Sequence, residues 1–256
     1  MSQPNNSDVS GIAPHPHLTE YYVEESQRRD FVADIFDQTA HSYDWIDRVM
    51  SLGSGVSYRR DALHRAGLIP GQRLLDVAVG TGLVARAAHD ILGDGERITG
   101  VDLSMGMLVE ARKTLPVALV QGVAERLPIA DACTDFVTMG YALRHVADLE
   151  STFREYARVL KPGGTLLILE LTPPAANSLV YRMTRFYLHS VVPLIARLGP
   201  GGADSKKLMQ YFWDTIDQCV PPAAILEALS SSGFASPRRD VSHHVFSEYV
   251  AQKPPS

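Results

Sequence analysis

The run LLDVAVGTGLVARAA, from Leu74 to Ala88, is the most constraining stretch of this chain. A short apolar run carries a carboxylate, Asp76, and Gly80-Thr81-Gly82 begins four residues later. A helix-forming stretch opens at Leu83. A strand, a glycine turn and a helix in that order make the first unit of a βαβ fold.

The alternation continues downstream. RITGVDL, VALVQG, TDFVTMGYA and TLLILEL read as four further strands. One helix is opened by Ser104 as its N-cap, and another is LESTFREYARVL, with KPGG as a turn before the fifth strand. From Pro173 to about Pro221 the chain is helical, and residues 173–218 are expected to form a lid. A last helix, AAILEALSSSG, ends at Gly233. SPRRDVS and HVFSEYVAQK then follow with no helix between them, so they are expected to pair antiparallel. The expected fold is α/β: a seven-stranded, doubly wound, mainly parallel Rossmann-like sheet with a terminal antiparallel strand pair and a helical lid. Two helices are read over residues 21–53, and residues 21–66 are expected to form a helical cap, within a single domain over 21–256. Residues 1–20, polar and proline-bearing, read as a disordered tail.

Composition narrows the function. With 256 residues, 45% hydrophobic and 21% charged, the chain can bury the core of one domain. The net charge of −5, with no Lys/Arg run, argues against a nucleic-acid partner. Cys133 and Cys219 lie far apart in no metal-binding spacing, which fits a reducing, cytoplasmic compartment and no metal site. The first residues lack the basic start and apolar core of a signal peptide. No run approaches the ~18 apolar residues of a membrane span. Peripheral membrane contact and a homodimer both stay open.

In an open parallel sheet, ligands bind beyond the carboxyl ends of the strands, where the strand order switches. Gly80 and Gly82 let a ligand approach the backbone there. Asp102, closing the second strand, suits a grip on two ribose hydroxyls. Gly80 to Ala85 also fits the loose dinucleotide pattern. A pyrophosphate over this turn would, however, be repelled by Asp76. S-adenosylmethionine carries no phosphate, and its sulfonium and ammonium favour nearby carboxylates. The acids and glycines together therefore point to this methyl donor, unless Asp76 merely caps the turn.

LLDVAVGTG resembles motif I of the class I methyltransferases. The chain is similar, more specifically, to the ubiquinone/menaquinone biosynthesis C-methyltransferases. YDWIDRVMSLGSGVSYRR (43–60) resembles that family's first signature and RVLKPGGTLLILELT (158–172) its second, with AERLPI and ALRHV in order between them. The resemblance runs from about Phe31 to the C-terminus. Several positions differ from the family's usual residues: Asp47 for Asn, Gly55 for His, Tyr58 for Trp, Val123 for Asp or Asn, Gly140 for Ser, and His145 for Asn. SHHVFSEY stands in place of a Gly-containing run that ends in His.

The resemblance implies methylation of an aromatic ring carbon, with a prenyl-tailed quinol as acceptor. Asp76, Gly80, Thr81 and Gly82 are expected to hold the methionine part of the donor, and Asp102 its ribose. Leu103 and Met105 are placed against the adenine, and Val123, Ala124 and Gly140 complete that site, with Ala124 pairing through its backbone. Met105 has ordinary helix packing as its alternative. Arg144 cannot be a base, since its pKa stays above about 12. It steadies a phenolate or orients a water, or else forms a salt bridge within the fold. His145 is a general-base candidate or a structural histidine. Tyr43 is the third catalytic candidate, and it and Asp44 cap the donor pocket or pack beside it. Tyr141, Tyr181, Phe186, Tyr187 and His244 are the expected acceptor-binding residues, with Leu188 on the same apolar lid face. His243 and His244 have no third ligand spaced for a metal.

Four other functions have their own marks. A nucleic-acid amino-methyltransferase carries Asn/Asp-Pro-Pro-Tyr after strand four, where this chain has MGYALRH. A base C5-methyltransferase needs a nucleophilic cysteine there, and Cys133 precedes the strand. An NAD(P) oxidoreductase would take a dinucleotide. A non-catalytic protein would bind the donor without turnover. A C- or O-methyltransferase of another small aromatic or isoprenoid metabolite is the nearest alternative.

Overall fold

The computed structural model describes residues 11–174, 176–197 and 202–255. Seven strands form one sheet: β1 (Leu74–Val77), β2 (Ile98–Asp102), β3 (Ala118–Gln121), β4 (Thr134–Gly140), β5 (Leu160–Leu171), β6 (Ala235–Ser242) and β7 (Phe246–Gln252), in the spatial order β3-β2-β1-β4-β5-β7-β6. The pairs β1–β2, β1–β4, β2–β3 and β4–β5 are parallel. The pairs β5–β7 and β6–β7 are antiparallel, as expected for strands joined without a helix. The order reverses between β1 and β4, and a crevice opens beyond their carboxyl ends.

Helices cover both faces. Leu75 and Val77 of β1 pack toward Phe153 and Tyr156 of α6 (Leu149–Val159). Leu74 packs the opposite way, against Val84 and Ala88 of α4 (Leu83–Leu92) and Leu63 of α3 (Gly55–Arg65). Burial of each such side chain contributes about 1.5–3 kcal/mol. Strand alternation puts Asp76 on the Leu74 side, beneath α4, and this decides its role below. Ser104 caps α5 (Met105–Thr114), its hydroxyl accepting from the Met107 amide at 3.0 Å. Gly233 follows α10 (Pro222–Ser231) at φ 91°.

The two helices expected over residues 21–53 form as α1 (Arg28–Thr39) and α2 (Tyr43–Met50), and α3 follows them ahead of the sheet. Leu52 and Gly53 adopt left-handed backbone (φ 51° and 81°) in the turn between α2 and α3. Two sequence expectations change. KPGG does not separate α6 from the fifth strand. β5 already pairs at Leu160 with Thr134, and the register shifts around the Gly163 kink before Thr165 meets Phe136. Residues 11–20 are packed, not disordered. The Ile12 carbonyl accepts from the Leu149 amide at 2.9 Å, and the Pro14 carbonyl accepts from the Val220 amide at 2.8 Å. His15 and Leu18 are buried. Residues 1–10 of the expected tail lie outside the described residues.

Of the 173–218 stretch, the described residues from Leu179 to Asp217 are helical as expected: α7 (Leu179–Phe186), a π turn (Tyr187–Val191), α8 (Val192–Arg197) and α9 (Gly202–Asp217); residues 173, 174 and 176–178 are coil and turn instead. Leu208, Tyr211, Phe212 and Trp213 of α9 join Val32, Ile35 and Ile46 in a third buried cluster. That cluster holds lid and cap helices together over the crevice.

Candidate active site

Two cavities meet above the carboxyl ends of β1 and β4. The first is lined by Gly80, Asp102, Leu103, Val123, Ala124 and Gly140. These are six of the ten residues expected to hold the donor. The second has a volume of about 700 Å³ and is walled by Tyr58, Leu188, Phe212, Trp213, Ile216 and Phe246. That size suits a small organic molecule. Tyr43 and Tyr141 line both cavities. Tyr141 reaches this place because its backbone is left-handed (φ 60°), a strained conformation for a bulky residue.

Asp102 organises the first cavity. One carboxylate oxygen accepts from the Gly80 amide at 2.7 Å and the other from the Ser104 amide at 2.8 Å. Each oxygen keeps a lone pair for a hydroxyl. Burial raises the Asp102 pKa to about 6, against the pull of these amides.

Asp76 is not in the wall. Its side chain lies beneath the glycine turn, one oxygen accepting from the Thr138 hydroxyl at 2.7 Å. The other oxygen is buried with no hydrogen-bond partner. Burial pushes its pKa up to about 7, the Thr138 hydrogen bond opposing. Direct contact with the donor, expected from sequence, gives way to support of the turn and a negative charge below it.

Thr81 and Gly82 also stand outside the wall. The Thr81 hydroxyl donates to Asp44 at 2.5 Å, and Asp44 accepts from Arg86 at 3.0 Å, so α2 is tied to the turn. Gly82 (φ 89°) sits against Leu115: a Cβ there would lie 2.1 Å from Leu115 Cδ1. Met105 is half-exposed and outside the cavity, while Met107 lines it. Met105 opens α5, and the 100° step of the helix turns the residue two places on toward the site.

The candidate catalytic residues divide between the cavities. Arg144 lines the second. Its guanidinium pairs with Glu170, donates to the Tyr141 carbonyl at 2.9 Å and the Thr215 hydroxyl at 3.1 Å, and lies 5.0 Å from the Phe212 ring centre. Sequence left a phenolate contact and an internal salt bridge as alternatives for Arg144; the salt bridge forms, in the wall of a cavity. His145 lines the first cavity instead. Its ring packs on Phe36, Tyr211 and Phe212, and Nδ1 lies 3.2 Å from the Tyr211 hydroxyl. Nε2 is buried without a partner. Burial, then the Arg144 charge, drives the His145 pKa well below its ordinary value, so the ring is neutral. Burial raises the phenol pKa values of Tyr43 and Tyr141.

Of the expected acceptor residues, Tyr141 and Tyr187 line the second cavity. The Tyr187 hydroxyl donates to the Val49 carbonyl at 2.6 Å. Tyr181 and Phe186 do not line it. Tyr181 bonds Asp217 at 2.7 Å on the outside, and Phe186 faces solvent. The π turn after Phe186 rotates Tyr187 and Leu188 inward. His244 lines a separate depression beside Arg239, whereas His243 lines the second cavity.

Sequence reading missed a group of residues. Asp47 and Arg59 form an ion pair in the second wall, with the Arg59 guanidinium 5.4 Å from the Tyr141 ring centre. Arg28, Val32 and Phe36 of α1 line the first cavity. Arg28 donates to the Arg144 carbonyl at 3.0 Å and to His15 Nε2 at 2.7 Å. Burial and the Arg28 charge lower His15 to about 4, which keeps that nitrogen an acceptor.

The residues present fit S-adenosylmethionine. Asp102 offers carboxylate lone pairs inside the first cavity, and Asp76 adds negative charge beneath the turn. Both favour a cationic ligand and oppose a pyrophosphate. Among the described residues no three or more His, Cys, Asp or Glu side chains gather as a metal site. No described helix is long and apolar enough to cross a membrane.

Comparison with known proteins agrees with this geometry. The ubiE/COQ5 methyltransferase family profile matches residues 22–246. A demethylmenaquinone methyltransferase of Mycolicibacterium paratuberculosis is 33% identical over 225 residues, covering 88% of this chain and 94% of that protein. The ubiquinone/menaquinone biosynthesis C-methyltransferase UbiE of Ectopseudomonas mendocina is 35% identical over 216 residues, covering 82% and 83%. A solved S-adenosylmethionine-dependent methyltransferase from Thermotoga maritima matches with TM-score 0.60 at 20% identity, covering 86% of this chain and 99% of that one, a likeness of fold. The chain is an S-adenosylmethionine-dependent methyltransferase with the class I fold, and it belongs to the ubiE/COQ5 methyltransferase family.

Proposed function

We propose that this enzyme methylates a ring carbon of a reduced, prenyl-tailed quinone. The observation that carries the reading is the junction at Tyr43 and Tyr141, where a cavity that suits the donor meets a larger apolar one. S-adenosylmethionine, when bound, supplies an electrophilic methyl group. Asp102 would hold its ribose, the Gly80 turn its amino-acid part, and Leu103, Val123 and the Ala124 backbone its adenine.

The acceptor enters the second cavity. A quinol is a phenol: loss of a phenolic proton to water would push charge onto the ortho carbon, which would take the methyl group as its bond to sulfur breaks, leaving S-adenosylhomocysteine, and the ring would then release its own proton to water and regain aromaticity. Arg144 and Arg59 carry directed N–H donors in that wall, each beside a carboxylate that offsets its charge. Such fixed donors favour a phenolate oxygen over a neutral one. Tyr43 and Tyr141 hold the ring against the donor side, and alignment of the two reacting carbons supplies much of the rate. His145 lines the donor-side cavity and its lowered pKa makes it a weak base, so this reading gives it donor binding and packing rather than proton removal. Phe212, Trp213 and Leu188 give the tail an apolar passage, and peripheral contact with a membrane delivers it.

The test is methyl transfer from labelled S-adenosylmethionine to a chemically reduced lipid extract and, separately, an aqueous extract of host cells. Label on a prenylated ring supports the proposal. Label confined to a soluble metabolite replaces it with methylation of another small aromatic or isoprenoid compound, the changes at Asp47 and Tyr58 having reshaped the acceptor cavity.

A further inference from the structure

The outer face of α7 turns apolar side chains away from the protein. Leu179, Met183 and Phe186 are 69%, 63% and 65% exposed. Their spacing of four and three puts them on one stripe of the helix. The inner side of the same segment lines the second cavity through Thr184, Tyr187 and Leu188, and Met183 stands at the edge between the two. Leu52, 82% exposed in the turn between α2 and α3, lines that cavity as well. The exposed apolar stripe is therefore continuous with the cavity mouth.

Charge selects what covers it. The protein carries a net charge of −5, yet residues 171–203 contain no Asp or Glu. Arg182 and Arg185 are exposed on the flank of the stripe, about one-sixth to one-third of a turn from it. Arg48, at the end of α2, is exposed on the neighbouring cap helix. An apolar stripe beside arginines matches an anionic lipid surface, where apolar side chains enter the headgroup region and basic ones meet phosphates.

We infer that the α7 stripe of Leu179, Met183 and Phe186, flanked by Arg182 and Arg185, docks on an anionic membrane surface and turns the mouth of the second cavity toward the lipid. This deepens the prenyl-tail reading and rests on it for what is delivered. The docking itself is measured without any substrate.

The experiment is sedimentation of the full-length protein with vesicles of phosphatidylcholine alone or with added phosphatidylglycerol, at low and high ionic strength. The expected result is binding to the anionic vesicles that weakens with salt. Arg182→Glu with Arg185→Glu is expected to weaken it roughly thirtyfold or more, and Leu179→Ser with Phe186→Ser to abolish it. Both variants should keep the parent's melting temperature, donor affinity and turnover of a short-tailed quinol in solution. Absence of binding by the parent protein at low salt overturns the inference, and so does unchanged binding by both variants. If the variants instead break a dimer in sedimentation velocity while vesicle binding persists, the face is a subunit interface and the inference fails. Failure of the short-tailed quinol as a substrate would strike the functional proposal alone.

Discussion

Arg144 and Glu170 form an ion pair in which each side chain is 1% exposed, set in the wall of the larger cavity. The second Glu170 oxygen is buried without a partner. Two charges so deep are tolerated only together, and removal of one leaves the other uncompensated. Glu170→Ala and Arg144→Ala are each expected to lower unfolding stability by about 3–5 kcal/mol, read from urea titrations. Arg144→Lys keeps the charge and loses the planar fork. It should retain donor affinity and lose most turnover; unimpaired turnover would make Arg144 purely structural.

Asp76 and Asp102 oppose folding when they ionise. Their folded pKa values, about 7 and about 6, stand above the ordinary carboxylate value of 3.8. The folded protein then binds protons more tightly than the unfolded chain, so donor-free stability falls as pH rises from about 4 through 7. Asp76→Asn should raise donor-free stability at pH 8 by up to about 4 kcal/mol and flatten that profile. Donor affinity runs the other way, because the cationic ligand favours ionised carboxylates. It should drop about tenfold between pH 7 and pH 5. Asp102→Ala should weaken the donor about 10–100-fold, since it removes charge-assisted hydrogen bonds. Asp76→Ala should weaken it less. Urea unfolding of the donor-free protein across pH checks the stability outcome, and calorimetric titration with S-adenosylmethionine across pH checks those on affinity.

Gly82 has no room for a side chain. Its φ of 89° strains any L-residue, and an added Cβ would overlap Leu115. Gly82→Ala should cost roughly 1–3 kcal/mol in thermal or urea unfolding. Adding Leu115→Ala removes the clash but keeps the strain, so the second change should cost less in the Gly82→Ala background than in the parent. Strict additivity would refute the contact.

His145 should not titrate in the working range. Its buried ring stays neutral from about pH 6 to 9, and carbon-13 shifts of labelled histidine should show no step for it. His145→Ala loses three ring contacts and should destabilise by about 1–3 kcal/mol. The shape of the pH profile of kcat/KM should not change. Loss of an ionisation limb from that profile would return His145 to the role of general base.

Strand, helix and glycine-turn order was legible because each strand alternates or runs apolar between strong punctuators. Asp102 and Gly80 followed from that frame, since a strand end fixes where a side chain goes. Asp76 was placed at the right turn and on the wrong side of it, because the period of two aims it under α4 and sequence does not say which face carries the ligand. His243 and His244 share a tight turn at φ 52° and 64°, where strand alternation lapses. Met105 and Phe186 fell to the same limit at a helix start and before a π turn. Residues 11–18 read as a loose tail because their order comes from backbone bonds to Leu149 and Val220, which leave no compositional trace. The pairs Asp47–Arg59 and Arg144–Glu170 join residues 12 and 26 positions apart through the fold alone.

The most direct measurement of the central claim uses a defined short-tailed quinol that lacks its ring methyl, offered with labelled S-adenosylmethionine in its reduced and its oxidised form. The account predicts label on the ring carbon ortho to a hydroxyl, from the reduced form only, and loss of that product in Arg144→Lys while donor binding persists. Label on a hydroxyl oxygen, or no transfer to the reduced quinol by a protein that binds the donor normally, would contradict it.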